Sequence, residues 1–169
     1  MIPTLTTERL VLRPPRADDF EPYAAFFASE RAAWEDGPLS RQDAWSEFAT
    51  AAGAWVLRGF GSLSITGGAT GAWLGEVGLY QPDHYPEPEI GWILGAEAEG
   101  RGIAHEAALA LRRWAYATLG LDTLVSYIAR GNRRSIRLAE RLGAVPDPDA
   151  PSCAPDAGVW RHPGPEVLQ

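Results

Sequence analysis

The sequence has 169 residues, of which 46% are hydrophobic and 22% are charged, and its formal net charge is −7. This length and composition predict a single globular domain that spans residues 1–169. The acidic balance argues against binding of nucleic acid through a basic surface. With Cys153 as the single cysteine and three scattered histidines, the sequence predicts no intrachain disulfide and no metal site.

The N-terminus has no basic segment followed by an apolar one, and no run of 18 or more apolar residues occurs in the sequence. We therefore expect neither a signal peptide nor a membrane-spanning helix. A reducing, cytoplasmic location is the expectation for such a chain.

The first half of the chain predicts one strand, two helices and a hairpin. Residues 7–13 alternate in polarity, as a half-buried strand does. Asp18 is expected to begin the first helix, with Glu21 reaching back to complete a capping box, and Ser40 is expected to begin the second helix. The glycine-rich segment 67–71 separates two strand-like runs and predicts a β-hairpin.

The second half predicts a strand–helix–strand unit, followed by another helix and a short final strand. Residues 89–94 and 123–128 are predicted strands joined by a helix, so they are expected to pair in parallel through a right-handed crossover. On that helix we expect a buried apolar stripe, with Arg112 and Arg113 on the outer face. Asn132 is expected to begin the last helix.

Between the central strand and the following helix lies a glycine-rich turn. Gly100 and Gly102 have no Cβ, so a ligand can approach the backbone closely. The first N–H groups of the helix are unpaired there, and together with the helix dipole they form a site suited to phosphate. Ile103-Ala104 stands where a P-loop needs Lys-Ser or Lys-Thr, and the next strand offers no acidic residue for a Rossmann ribose contact. A tight turn that only begins a helix is the alternative.

Five arginines lie close together after the second strand of this unit, in an otherwise acidic chain. They form either a solvated helix face or a landing site for phosphate groups, and the neighbouring glycine turn favours the phosphate site. The five are Arg130, Arg133, Arg134, Arg137 and Arg141.

The segment Glu99-Gly100-Arg101-Gly102-Ile103-Ala104 resembles the acyl-CoA site of the GNAT N-acetyltransferase superfamily, whose signature is Gln/Arg-x-x-Gly-x-Gly/Ala at a helix start. It matches at Gly102 and Ala104, and Glu99 replaces the usual Gln or Arg. Further motifs, in the same order, resemble the branch that includes the ribosomal-protein (alanine) N-terminal acetyltransferases. They are residues 7–13, 89–92, 104–107, 132–135 and 142–143. The resemblance implies a mixed α/β fold whose sheet is splayed at its centre and flanked by helices on both faces.

The resemblance also implies acetyl-CoA as the co-substrate. Its pantetheine arm would pair with backbone groups of the central strand, at Ile93 and Leu94. The pyrophosphate would meet the turn at Arg101, Gly102, Ile103, Ala104 and His105. Further contacts to the arm and the phosphates would come from Asn132, Ser135, Arg134 and Arg137.

An amine acceptor is mostly protonated at neutral pH, so acetyl transfer benefits from a general base. Glu89, at the start of the central strand, and Glu76, on the preceding strand, are the candidates. A solvated carboxylate and a structural ion pair are their respective alternatives. Many members of the family supply a tyrosine that protonates the leaving thiolate, and Ala139 stands at that position here. Ser135, one helical turn earlier, is the candidate proton donor, and a hydrogen bond at the helix start is its alternative.

Together these motifs predict an N-acetyltransferase that moves acetyl from acetyl-CoA to a primary amine through a ternary complex. The expected partners are acetyl-CoA and an amine acceptor, either a protein N-terminus or a small molecule, and the protein is expected to act as a monomer or homodimer. A non-catalytic acyl-CoA-binding or regulatory module on the same fold is the alternative. Trp34, Trp45 and Trp55 either line the acceptor pocket or pack in the core.

Overall fold

The fold is built on one mixed β-sheet with helices against both of its faces, as predicted. The computed structural model describes residues 1–168. The strands are β1 (Leu5–Thr6), β2 (Leu10–Arg13), β3 (Ser62–Gly67), β4 (Trp73–Tyr80), β5 (Glu89–Leu94), β6 (Val125–Ala129), β7 (Val145–Pro146) and β8 (Ala157–Arg161). The α-helices are α1 (Phe20–Phe27), α2 (Arg41–Arg58), α3 (Ile103–Trp114) and α4 (Arg133–Arg141). Among the helices of residues 1–168, none has the length and apolar character needed to cross a membrane.

The sheet is interrupted at its centre. The strand order is β1-β2-β3-β4-β5-β6-β8-β7, and all neighbouring strands are antiparallel except β5 and β6. β5 and β6 run parallel and are connected through α3, as predicted, but they share only one aligned pair, Glu89 with Val125. Beyond this pair the two strands stop pairing and leave a central gap, which is the splay that the resemblance implied.

Each face of the sheet has its own core. On the α3 side the fully buried residues include Leu12, Ile65, Val77, Leu79, Ala108 and Leu111. On the opposite face α1 and α2 pack through aromatic rings, with Tyr23 edge-on to Phe48 at 5.0 Å between ring centroids. Both faces are therefore covered, which removes their apolar side chains from water.

Two helix starts and one strand follow the sequence signals closely. As predicted, Ser40 caps α2: its side chain accepts a hydrogen bond from the N–H of Asp43 at 3.1 Å. Asn132 caps α4 in the same way and accepts the N–H of Ser135 at 3.2 Å. The early strand predicted over residues 7–13 is shorter and spans Leu10–Arg13, because Thr7 and Arg9 instead bind Glu106 of α3.

The predicted capping box of Asp18 and Glu21 at the start of α1 is wrong. The carboxylate of Asp19 instead accepts the N–H of Arg16 at 2.8 Å, and Glu21 is exposed and ion-paired with α2. Asp19 takes this position because Arg13 on β2 holds its carboxylate through two hydrogen bonds of 2.7 Å. That contact comes from tertiary packing, which a local sequence signal does not contain.

The placement of Arg112 on the outer face of α3 is also wrong, whereas Arg113 is exposed as predicted. Arg112 is 6% exposed, and its Nη1 donates to the carbonyl of Leu142 at 2.7 Å. It satisfies a carbonyl at the end of α4 that is turned towards the protein interior.

Candidate active site

The glycine turn before α3 presents an open backbone surface. Gly100 and Gly102 have φ values of +70° and +76°, in the left-handed region that favours glycine. A Cβ on Gly100 would meet no atom within 4 Å, and one on Gly102 would meet only the guanidinium of Arg9 at 3.5 Å. The first helical bond of α3 is donated by the N–H of Glu106, so the N–H groups before it have no partner within the helix. The turn can therefore accept an anion such as a phosphate group.

The N-terminal segment of the chain holds this turn in place. Glu106, in the first turn of α3, accepts hydrogen bonds from Thr7 and from the backbone and side chain of Arg9. The guanidinium of Arg9 also donates to the carbonyl of Arg101 at 3.0 Å. The motif at residues 7–13 and the motif at residues 104–107 are therefore parts of one contact.

Glu99, which stands where the resemblance has Gln or Arg, connects three parts of the structure. Its carboxylate pairs with Arg134 of α4 at 2.7 Å and with Arg31, which also donates to the carbonyl of Leu94 at 3.1 Å. Arg134 is therefore engaged with a carboxylate. Arg133 and Arg137 are exposed and form no salt bridge within residues 1–168, so both are available to an anion.

The gap between β5 and β6 exposes backbone groups of the central strand. Ser126 on β6 donates its hydroxyl to the carbonyl of Ile90 at 2.6 Å, so this carbonyl faces β6. Because backbone groups alternate along a strand, those of Trp92 and Leu94 also face the gap, whereas Ile93 is aligned with Glu76 in β4.

A cavity of about 60 Å³ lies in this gap. It brings together residues from β5, β6, the start of α4 and the loop after α1. Its lining consists of Trp34, Glu35, Glu89, Ile90, Gly91, Trp92, Ser126, Tyr127, Ile128, Ala129, Asn132 and Ser135.

Glu89 is the carboxylate at the base of the gap. It accepts the N–H of Tyr127 at 3.1 Å. Burial raises the pKa of Glu89 to about 8, against the effect of that hydrogen bond, and the negative charge of Glu35 raises it further. A carboxylate with a pKa near neutrality can take up and release a proton under physiological conditions.

Glu76, the other predicted base, does not line the cavity. It is 3% exposed, accepts the hydroxyl of Tyr80 at 3.2 Å, and burial raises its pKa to about 7. The Tyr80 ring reaches Glu76 by lying over Gly78 and Gly91, where a Cβ would stand 2.5 Å and 3.2 Å from it, respectively. The glycine of the Glu89-Ile90-Gly91-Trp92 motif thus makes room for this ring.

Ser135 and Asn132 contribute the start of α4 to the cavity. The backbone N–H of Ser135 is bonded to Asn132, but its hydroxyl has no hydrogen-bond partner among the described residues. Ala139, one turn further along the helix, is fully buried. Of these side chains, Ser135 therefore has the hydroxyl that is free to donate into the cavity.

The cavity also contains a carboxylate that the sequence analysis did not identify. Glu35 lies in the loop after α1, and burial, reinforced by the charge of Asp36, raises its pKa to about 7. Its neighbour Trp34 covers Gly131, where a Cβ would meet the indole ring at 2.5 Å. Trp34 was predicted as a possible pocket residue. Because Glu35 follows it directly in the same loop, Trp34 was the available signal for Glu35.

The three tryptophans considered for the acceptor pocket have different positions. Trp34 lines the cavity, Trp45 is 50% exposed with its ring against Phe20, and Trp55 is buried and donates to the carbonyl of Ser62 at 2.8 Å. Of the three, Trp34 lines the candidate cavity and Trp55 packs in the core.

A larger hollow of about 700 Å³ lies between α4, β8 and the proline-rich segment 146–155. It shares Ile128 with the cavity in the gap. Its one lining carboxylate among the described residues, Asp147, is ion-paired with Arg161 at 2.6 Å. The groups suited to proton transfer are therefore in the smaller cavity.

Comparison with known proteins agrees with this geometry. The model of the family described as the acetyltransferase (GNAT) domain matches residues 9–145. The crystal structure of an acetyltransferase from Agrobacterium tumefaciens str. C58 is 45% identical, with a TM-score of 0.93 over 96% of this chain and 95% of that chain.

Two further relatives are more distant. The uncharacterized protein YkkB of Bacillus subtilis (strain 168) is 33% identical over 76 residues, which are 44% of this chain and 44% of that protein. The crystal structure of spermidine N-acetyltransferase from Vibrio cholerae, in complex with CoA and spermine, is 16% identical with a TM-score of 0.71, over 92% of this chain and 94% of that chain. At this identity the likeness shows the fold alone.

Proposed function

Because the chain belongs to the GNAT acetyltransferase family, we propose that it transfers acetyl from acetyl-CoA to a primary amine through a ternary complex. The observation that carries this proposal is the arrangement of one gap with two ends. An open glycine turn suited to phosphate stands at one end, and a cavity with a near-neutral carboxylate stands at the other. Holding amine and thioester together in this gap would supply much of the rate.

The CoA side of the proposal rests on the turn and the central strand. The pyrophosphate fits the N–H groups from Arg101 to His105, because no side chain covers Gly100. The pantetheine arm would lie in the gap beside Ile93 and Leu94. The backbone of Leu94 faces the gap, and its carbonyl already accepts a hydrogen bond from Arg31. The arm's contacts on α4 would be Asn132 and Ser135, and the exposed Arg137 would meet a phosphate, with Arg134 available if it exchanges Glu99 for that phosphate.

The acceptor side rests on Glu89. We assign it the role of general base, which removes the proton of the ammonium group directly or through a water molecule. Glu76 is buried outside the cavity and bonded to Tyr80, so we assign it to the support of β4 and β5. When bound, acetyl-CoA supplies the activated acetyl group and a thiolate leaving group. The hydroxyl of Ser135 is the group that can donate a proton to that thiolate.

We also propose that residues 1–169 form one domain, that the protein acts as a monomer or homodimer, and that it belongs to the branch containing the ribosomal-protein N-terminal acetyltransferases. The support for the branch is that two of its motifs meet in the structure, because Thr7 and Arg9 both bind Glu106.

A non-catalytic acyl-CoA-binding module is the second candidate, and the alanine at position 139 favours it. Release of free thiol from acetyl-CoA in the presence of amines distinguishes the two functions.

The CoA site is tested by a glycine substitution with a matched control. Gly102→Ala and Gly120→Ala both place a Cβ on a left-handed residue, at opposite ends of the helical segment. We expect Gly102→Ala to weaken CoA binding at least about tenfold, because its Cβ and altered turn obstruct the phosphate-binding N–H groups. Gly120→Ala carries similar backbone strain and should bind CoA as the wild type does in isothermal titration calorimetry.

Equal CoA affinity of the folded Gly102→Ala protein and the wild type would show that the turn only begins a helix. Thiol release with an amine panel then tests the reaction itself. The sequence contains no lysine, so the protein's side chains add no amine to the assay.

A further inference from the structure

Most buried or half-buried carboxylates of this protein are paired with an arginine. Removing a carboxylate from water is costly unless a cation or several hydrogen bonds compensate. The paired carboxylates within residues 1–168 are Asp19 with Arg13, Glu106 with Arg9, and Glu87 and Asp147 with Arg161.

Glu76 does not follow this rule, but it lies outside the cavity and accepts the hydroxyl of Tyr80. Glu35 and Glu89 do not follow it either. Neither forms a salt bridge within residues 1–168, although both line the same cavity and the charge of one acts on the other. The N–H of Tyr127 is the hydrogen-bond donor to Glu89. The cavity lining contains no arginine, lysine or histidine. Two carboxylates and no cation therefore face one small space.

The position of Glu35 is fixed by its loop. The N–H of Glu35 and that of Gly37 both donate to the carbonyl of Ala32, at 2.8 Å and 2.9 Å, and Ala32 is fully buried. The ring of Trp34 lies against Gly131 on the far side of the cavity. Glu35 is therefore held at the cavity by contacts of the residues before and after it: the ring of Trp34 packs on Gly131, and the N–H of Gly37 bonds to Ala32.

From this arrangement we propose that Glu35 is a specificity-determining residue, which together with Glu89 binds the ammonium group of the acceptor and selects amines that carry no carboxylate close to the amino group. This inference rests on the proposed acetyltransferase function. A positive ammonium group offsets the repulsion between the two carboxylates when it enters the cavity. A nearby carboxylate on the acceptor would meet negative charge and no cationic side chain, so free amino acids are poor substrates. The favoured class is cationic amines, including amino-acid derivatives whose carboxylate is blocked and whose amino group stays positively charged.

Ethylamine and β-alanine test this selection, because they differ by one carboxylate and have amino groups of similar basicity. We expect the wild type to acetylate ethylamine at least about tenfold more efficiently, measured as kcat/KM from thiol release. In Glu35→Gln that preference should narrow about tenfold, mainly through a higher KM for ethylamine, while the affinity for CoA stays unchanged. Glu35→Asp keeps the charge and should retain most of the preference.

Asp36→Asn is the matched control, because it removes one negative charge from the next residue of the same loop. Asp36 is exposed, does not line the cavity and has φ of +58°, which asparagine also tolerates. Because loss of the Asp36 charge favours the ionised form of Glu35, this variant should keep the wild-type preference or strengthen it. A preference that is equal in the wild type and Glu35→Gln, or absent from the wild type, overturns this inference and leaves the proposed function standing. Failure of every amine to release thiol contradicts the proposed function, and the inference with it.

Discussion

The single residues that line the cavity differ in their chemistry. Glu89 and Glu35 are acidic groups shaped by burial, and Ser135 is a neutral donor at the start of α4. The backbone of Ser135 already completes the Asn132 cap, so its hydroxyl is not needed to begin the helix. This separation of backbone and side-chain roles makes Ser135 testable without loss of the fold.

Replacing Ser135 by alanine should lower kcat and kcat/KM together by at least about tenfold. A general acid typically contributes about a hundredfold or more, and a water molecule would replace only part of that contribution. The affinity for CoA and the melting temperature should change little, since the cap is retained. Thiol-release kinetics and calorimetry on the same preparation measure both. Ser46→Ala, on the exposed face of α2, is the control. An unchanged kcat in Ser135→Ala would assign the proton to water or to another side chain.

At the scale of elements, the orientation of α3 depends on the N-terminal segment. Thr7 and Arg9 both bind Glu106. Burial raises the pKa of this carboxylate, but the hydrogen bonds from Thr7 and Arg9 outweigh that effect, so the pKa is lowered overall. The same guanidinium reaches the carbonyl of Arg101. A phosphate site made of backbone N–H groups is only as well ordered as the helix that presents them.

Arg9→Ala should therefore weaken CoA binding several-fold although Arg9 need not touch CoA. The unfolding free energy should fall by about 1 kcal/mol or less, because the Arg9 side chain is 49% exposed. Titration calorimetry and urea denaturation measure the two effects. Arg16→Ala removes an exposed arginine that lies outside this contact, and it should leave the affinity for CoA unchanged. Loss of stability without loss of CoA affinity would mean that the contact fastens the N-terminus and nothing else.

How far the sequence predicted the structure depended on the range of the interactions involved. Ser40 and Asn132 begin helices through their own neighbours, so local signals located them correctly. The parallel pairing of β5 and β6 followed from chirality and chain length. Arg112 takes a position set by Leu142, and Asp19 one set by Arg13 on β2 and Ser64 on β3. These partners come from other elements, so periodicity and spacing misplaced Arg112 and overlooked Asp19 as the capping residue.

The candidate site shows the same division. The glycine turn is a local motif and lies between β5 and α3 as expected, with both glycines in the left-handed region, while its role as a phosphate site stays a prediction. Glu35 was missed because its position depends on a loop that folds over Gly131 and Glu89, which are 96 and 54 residues away in sequence but close in space. The neighbouring Trp34 was the one signal in the sequence, because a single sequence does not show contacts between distant segments.

For the molecule as a whole, the buried ionisable groups set opposite limits on stability. His162 is 4% exposed, and burial, with the nearby charge of Arg112, lowers its pKa to about 3. Folding therefore keeps it neutral, and the stability that it contributes is lost as the pH falls from about 6.5 towards 3. Glu89 has a raised pKa, so its contribution is present at low pH and is lost as the pH rises from about 4.5 to 8.

The limit set by Glu89 can be isolated by comparing the wild type with Glu89→Gln across pH. Between about pH 4.5 and 8 the folded wild type holds a proton that the unfolded chain releases, so its stability should fall relative to the variant as the pH rises. A difference of one in pKa corresponds to about 1.4 kcal/mol. Even that much would lower the melting temperature of the wild type by roughly 3–5 °C relative to the variant between pH 5 and pH 8. Differential scanning calorimetry in buffers of constant ionic strength measures this difference.

Glu47→Gln is the control, because it removes an exposed carboxylate of α2 and should show no such dependence on pH. Parallel pH curves for the wild type and Glu89→Gln would mean that folding does not raise the pKa of Glu89, which would then be a weaker base than proposed.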